Sequence, residues 1–230
     1  MVRIGQASLG SEGRVRGDKA GNQNGKELNT RSWHDGNWNV MLRARNPEVA
    51  EKIAKNCEAA CANRNIGYDQ NQRNTAHTEA KKVGYDLSKI TTPCETDCSA
   101  LATLCAIAAG VKGLEYTGNA PTTSTMRRAF TMTGEFEAYT ESKYLRGSEY
   151  LKRGDILIRE GKHTVMVLDN GSKAGTAAGT KSLMTIASEV LKGKWGNGED
   201  RKKRLEAAGY PYRAVQAEVN RLIRESQRYQ

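Results

Sequence analysis

Residues 94–110 read CETDCSALATLCAIAAG, and residues 151–171 read LKRGDILIREGKHTVMVLDNG. The first stretch predicts a compact apolar helix over 97–109, with Leu101, Leu104, Cys105, Ile107 and Ala108 in its body and Gly110 as its stop. The second predicts a strand pair. Residues 151–154 turn, 155–158 form a strand, 160–162 turn again, and 163–168 form a second strand before the Asp169-Asn170-Gly171 turn. A helix followed by an adjacent strand pair points to an α+β domain.

Upstream, residues 1–45 are rich in Gly, Asn and Arg. Trp33, Trp38, Val40 and Leu42 indicate short strands around a turn at 34–37. Asn46-Pro47-Glu48 is a helix start: a cap, a proline at the first position, then an acid. Val49, Ile53, Cys57 and Cys61 recur on one face of that helix, widened by Ala50 and Ala54, so both cysteines read as small core residues. Residues 66–73 read as a loop, 75–83 as a short helix stopped by Gly84, 122–132 as a helix and 136–139 as a strand. Downstream, SKAGTAAGTK over 172–181 is a linker of small residues. Beyond it the period becomes helical. Ser182 caps a helix bearing Leu183, Ile186, Val190 and Leu191. A second helix covers 198–208, and a third follows Pro211 with Val215, Val219, Leu222 and Ile223 on one stripe. Together these predict a small three-helix bundle.

The chain of 230 residues carries 36 Lys and Arg against 26 Asp and Glu, a net charge of +10. Such a surface suits a polyanion, whether nucleic acid, anionic lipid or acidic cell wall. Only Arg201, Lys202, Lys203 and Arg204 form a dense run, which reads first as a solvated helix face. No apolar run approaches membrane-spanning length, and the N-terminus lacks a secretory signal. The expectation is synthesis in the cytoplasm and no membrane insertion. Five cysteines in such a chain argue against a disulfide framework. Neither their spacings nor those of His34, His77 and His163 match a zinc site.

Cys98 falls in the first turn of its helix, where the partial positive charge and free N–H groups stabilise a thiolate. From position alone it reads equally as a nucleophile or as a buried inert thiol. His163 opens a strand, where an imidazole can serve as base toward a thiol or sit as a strand-end residue. His34, in a turn, and His77, on a polar helix, read as surface residues.

The pattern as a whole is more specific. Thr96-Asp97-Cys98-Ser99 at a helix start, a Gly154-Asp155 turn into a strand, and a strand led by His163 resemble the NlpC-type papain-like peptidases of bacterial cell-wall peptides. The resemblance implies a papain-like cysteine peptidase domain with Cys98 as nucleophile and His163 as base. It implies Tyr68 as the aromatic beside the cysteine, and Asp97 or Ser99 as contacts for a free substrate amine. A third polar residue should orient the imidazole from the following strand, which the linker replaces. Asp169 is assigned to that role, with Asn170, Gln23 and Glu27 as other candidates; Gln23 is also taken as a substrate contact. The opening GNQNGKE (21–27) and Arg31-Ser32-Trp33 look like the start of phage endolysins of this type. Residues 183–223 resemble, in one copy, the short cell-wall-binding repeat of phage lysins, which implies wall contacts from Trp195, Asn197, Arg201 and Arg204.

The resulting expectation is a catalytic domain over 1–172, a linker over 173–181 and a wall-binding bundle over 182–230. The activity expected is that of a monomeric phage-type endolysin, needing no metal or cofactor and binding no nucleic acid. It would hydrolyse an amide bond of the peptidoglycan stem peptide, most simply between γ-D-glutamate and the diamino acid, after release through a phage-encoded pore. The alternatives are an N-acetylmuramoyl-L-alanine amidase with the same Cys/His pair and a non-catalytic wall-binding protein.

Overall fold

A computed structural model describes residues 1–10, 12–16, 19–174 and 183–227. Contacts divide the chain into two compact units, Met1–Lys173 and Ala174–Gln230. Residues 175–181 of the expected linker, and the expected cap Ser182, lie outside the described residues.

The first unit mixes helices with a six-stranded antiparallel sheet. Its strands are β1 (Arg3–Ala7), β2 (Leu28–Ser32), β3 (Val40–Ala44), β6 (Phe136–Tyr139), β7 (Ile156–Arg159) and β8 (His163–Val167), in the order β2-β1-β8-β7-β3-β6. A separate parallel pair joins β4 (Ile66–Tyr68) to β5 (Cys94–Thr96). The helices are α1 (Pro47–Ala62), α2 (Thr75–Lys82), α3 (Cys98–Ala108), α4 (Met126–Met132) and α5 (Ser142–Leu145).

The sheet is buried on both faces, which explains why β7 and β8 read as continuous apolar runs. Ile156, Ile158, Met166 and Leu168 belong to the core shared with α1 and α3. Their neighbours Leu157, Val165 and Val167 belong to a second core with Ile4, Trp38 and Met41. Alternation along each strand does this sorting. Asn46 caps α1, accepting from the Glu48 amide at 2.9 Å, with Pro47 at the first position. Two glycines set close approaches. A Cβ on Gly5 would lie 2.3 Å from the Cys57 sulfur, so β1 can lie against α1 only without a side chain there. Gly154, at φ +89°, would bring a Cβ within 2.2 Å of the Ala50 carbonyl.

Some elements differ from expectation. Strand β1 sits in a Gly- and Arg-rich segment with no clear alternation. The segment read as a loop at 66–73 begins with β4, a strand of three residues. The helix expected from 122 begins at Met126. His77 is not a surface residue: it is 5% exposed, and its ring stacks on Tyr116 at 4.3 Å between centroids. Small residues around it (Ala76, Ala80) let α2 bury that face.

The second unit consists of α6 (Leu183–Leu191), α7 (Gly198–Ala207) and α8 (Tyr212–Gln227). Ile186, Ala187, Val190, Leu205, Tyr210, Val215 and Val219 form its core. Leu191 and Ile223, expected on the stripe, are exposed. Among the described residues no helix is long and apolar enough to cross a membrane. None of their His, Cys, Asp and Glu side chains form a group of three that could hold a metal ion.

Candidate active site

Asp97 is the N-cap of α3. Its Oδ1 accepts from the Ala100 amide at 2.7 Å, which fixes the first turn and sets Cys98 at the helix start. The α3 body is almost wholly buried, so the helix cannot shift without breaking the core. Cys98 is 5% exposed. The backbone amides of Ser99 and Thr164 donate toward its sulfur. Thr164 follows His163, so the start of α3 and the start of β8 converge. The Asp97 charge is felt by both Cys98 and His163.

His163 Nε2 lies 3.0 Å from Gln6 Oε1. Gln6 is 5% exposed and stands on β1, the sheet neighbour of β8. The imidazole also packs on Trp38, with ring centroids 6.3 Å apart. His34 packs on the same tryptophan at 5.9 Å and is close enough for its charge to lower the His163 pKa. It is thus part of the site's surroundings rather than a remote turn residue.

Burial decides the resting protonation. Desolvation, then the Asp97 charge, raise the Cys98 thiol to about 12, against the pull of the two amides and Arg73. Desolvation, then His34, lower His163 to about 4. Burial thus opposes the pull of the helix start on the thiol. Both shifts favour the uncharged forms, thiol and neutral imidazole.

Asp169 does not orient His163. Its carboxylate is held by Arg3, at 2.9 Å from the backbone N and Nε and 2.8 Å from Nη2. Six residues of extended chain separate it from His163, roughly 20 Å. The other candidates are also engaged elsewhere. Asn170 Oδ1 accepts from the Arg153 amide at 2.9 Å. Gln23 is exposed and donates to the Lys19 carbonyl at 2.7 Å. Glu27 Oε2 accepts from the Tyr68 amide at 2.8 Å. The sequence carried no signal for Gln6, because its role depends on strand β1 pairing with β8.

Tyr68 is brought to Cys98 by the β4–β5 pairing, which sets it beside Thr96. It is 4% exposed, and burial followed by the Cys98 charge raises its phenol to about 12. Asp97 and Ser99 lie at the same place but face a residue the sequence did not single out. Arg73, 8% exposed, donates to Asp97 through Nε at 2.5 Å and Nη2 at 3.1 Å. It also reaches Ser99 Oγ at 2.7 Å and the carbonyls of Ala120 and Pro121 at 2.7 and 3.1 Å. Ser99 Oγ in turn donates to Asp97 Oδ1 at 2.9 Å.

In the second unit Trp195 is half-buried, donates from Nε1 to Glu189 at 3.0 Å, and meets Tyr210 edge-on at 5.6 Å. Arg201 clips the following loop, reaching the Gly196 carbonyl at 3.0 Å and Asn197 Oδ1 at 2.9 Å. Arg204 pairs with Asp200 at 2.8 Å on the exposed face.

Comparison with known proteins divides the chain between residues 174 and 184. No solved structure matches it. The lysozyme of Streptococcus phage Cp-7 is 52% identical over 42 residues, which make up 18% of this chain and 12% of that protein. The chain thus spans about an eighth of that relative's length. A CW_7 repeat matches residues 184–223, covering all of α7, all but the first residue of α6 and most of α8. The match of residues 4–174 to the endolysin-like domain takes in every strand of the sheet, Cys98 and His163, and the chain belongs to that family.

Proposed function

We propose that the chain is a phage-type endolysin whose first unit hydrolyses an amide bond of the peptidoglycan stem peptide, while its second holds it on the wall. The observation that carries this reading is the approach of the Thr164 backbone, next to His163, to the Cys98 sulfur, with Gln6 on Nε2 of the imidazole. Family membership and the CW_7 repeat support the substrate.

In this mechanism neutral His163 takes the Cys98 proton as the sulfur attacks the carbonyl. The proton transfer accompanies attack, because burial raises the thiol and lowers the imidazole, so both favour their uncharged forms beforehand. Gln6 holds the ring by its Nε2, in the orienting role that a carboxylate or amide plays in comparable sites. The Cys98 backbone N–H at the α3 start is the donor assigned to the developing oxyanion, since the Ala100 amide is taken by Asp97. The imidazolium then protonates the leaving amine, and water resolves the acyl-enzyme. The bond assigned is that between γ-D-glutamate and the diamino acid. Trp195, Asn197, Arg201 and Arg204 are the proposed wall contacts, the tryptophan by its exposed edge and the arginines by planar donors. The protein acts as a monomer after release through a phage-encoded pore.

Mass spectrometry of fragments released from purified peptidoglycan tests the reading. A new N-terminal diamino acid is expected. A free lactyl group on muramic acid would instead make the chain an N-acetylmuramoyl-L-alanine amidase, which the same Cys/His pair can serve. Lysis by Cys98→Ser at the rate of the native chain would remove the mechanism altogether.

A further inference from the structure

Resting on the Cys98/His163 reading above, we infer that Trp38 is a positioning residue for the base. Its indole packs on the His163 imidazole while Gln6 holds Nε2, and the turn at 34–37 is built to present that indole. Together the two residues fix the ring plane and keep water from it.

Trp38 is 1% exposed, and its ring lies 6.3 Å from that of His163 at a tilt of 31°, within the range of aromatic pairing. The turn leaves the indole little freedom. Its Nε1 donates to the His34 carbonyl at 3.1 Å, which fixes its rotation. Gly36 lies so close that a Cβ there would fall 2.4 Å from Trp38 Cζ2. Gly36 does not adopt a left-handed φ, so contact with the indole, rather than backbone conformation, demands glycine. Asn37 turns the chain at φ +56°, a conformation that asparagine tolerates. Asp35 Oδ1 accepts from the Asn37 amide at 2.8 Å, and Arg146, just after α5, reaches the same oxygen at 3.1 Å. On the far side of Trp38, the Asn39 amide donates to the Ile158 carbonyl at 2.9 Å, and Asn39 Oδ1 accepts from the Glu160 amide at 3.0 Å. Trp38 is thus tied to β7, the sheet neighbour of β8, and cannot leave His163 without breaking these bonds.

Trp38 also belongs to the core with Ile4, Met41 and Leu157, so burial by itself does not mark it out. Its effect on the imidazole does. Asp97 and Cys98 approach from α3, His34 from the turn, and Arg159, opposite His163 on β7, is exposed; β1 contributes the neutral Gln6. Loss of water outweighs these charges in lowering His163. Displacing the indole admits water and returns the imidazole toward its ordinary value.

The test is an NMR titration of the imidazoles in the full-length protein, its three histidines assigned with His34→Gln and His77→Gln. In the native chain His163 should titrate well below the ordinary value of about 6.5, and a midpoint at that value overturns the inference whatever the variants do. Trp38→Phe should raise the midpoint by about a unit and lower kcat about tenfold with KM unchanged. Gly36→Ala should do the same by pushing the indole aside. Added to Trp38→Phe it should shift His163 little further, because the smaller ring leaves room for the Cβ; a full second shift overturns the role given to Gly36. Trp38→Phe keeps an aromatic ring in the core, so it decides alone if Gly36→Ala does not fold. A lowered Tm in Trp38→Phe with His163 titrating as in the native chain makes Trp38 a core residue only and overturns the inference. Native protein that leaves purified walls uncut overturns the Cys98/His163 reading and the inference together. Walls cut by a chain whose His163 titration does not respond to Trp38→Phe overturn the inference while leaving that reading intact.

Discussion

The two units place their polar side chains in opposite ways. Among the described residues, every buried polar or charged side chain lies in the first unit, including Gln6, Arg73, Asp97, Ser99 and Thr164 around the candidate site. The second unit buries Ile186, Leu205, Val215 and their neighbours, and keeps its ion pairs outside. A buried polar group must be matched by partners or it destabilises the fold, so the first unit is rigid where chemistry is proposed. An exposed pair gains little over its hydration, so the second unit is free to present arginines to a ligand. The difference predicts that substitutions in the first unit act together on stability and chemistry, whereas those in the second act on binding alone.

The largest expected break in that contrast is Cys98→Ser. It should remove wall lysis by at least about a thousandfold while Tm changes little, since the hydroxyl fits the same space. Cys57→Ala, in the α1 core, should do the reverse, lowering stability by roughly 1–2 kcal/mol and leaving kcat in place. Thermal melts and turbidity assays on both variants separate the two effects.

Next is a pair of arginines. Arg73→Ala strands Asp97 as a buried charge and should destabilise by about 3–5 kcal/mol. Arg221 pairs with Glu218 on the surface of α8 at 2.7 Å, and Arg221→Ala should leave the melting curve where it was. Denaturant titration of each variant measures this side of the comparison. Equal losses would mean that the second unit also depends on its ion pairs.

A smaller, sharper effect concerns Gln6. Removing it as Gln6→Ala should lower kcat by about ten- to a hundredfold, through misplacement of the imidazole. Because His163 is lowered to about 4, its basic form persists well below pH 6.5, and activity should fall only as pH drops toward that value. Gln6→Glu sets a carboxylate against Nε2, favours the imidazolium, and should move the acidic limb of the rate profile upward by about a unit or more. The same lowered pKa bears on stability. The unfolded chain takes up the proton at about 6.5 and the folded one only near 4, so stability should decline as pH falls through that window.

The smallest expected effect lies in the second unit. In the inactive Cys98→Ser background, Trp195→Ala should weaken pelleting with purified walls about tenfold while far-UV helicity is retained. Loss of helicity in step with pelleting would make Trp195 a packing residue of the bundle and nothing more.

Local sequence alone determined a good deal of this. Asp97 capping an apolar run set both the start of α3 and the position of Cys98. The turn at 160–162 between two apolar segments set β7, β8 and the place of His163. The 3.6-residue period after the linker set three helices. In each case the signal is complete within a few residues, because caps, turns and periodicity are local.

Tertiary structure alone decided the rest. Gln6 becomes the partner of His163 only because β1, from the opposite end of the chain, pairs with β8. Asp169, the nearest carboxylate in sequence, is carried away by the extended strand and captured by Arg3. Arg73 reaches Asp97 because β4 and β5 bring residues far apart in sequence side by side. The upward shift of Cys98 and the downward shift of His163 follow from how much water the surrounding elements exclude, a sum over the whole unit that no local stretch contains.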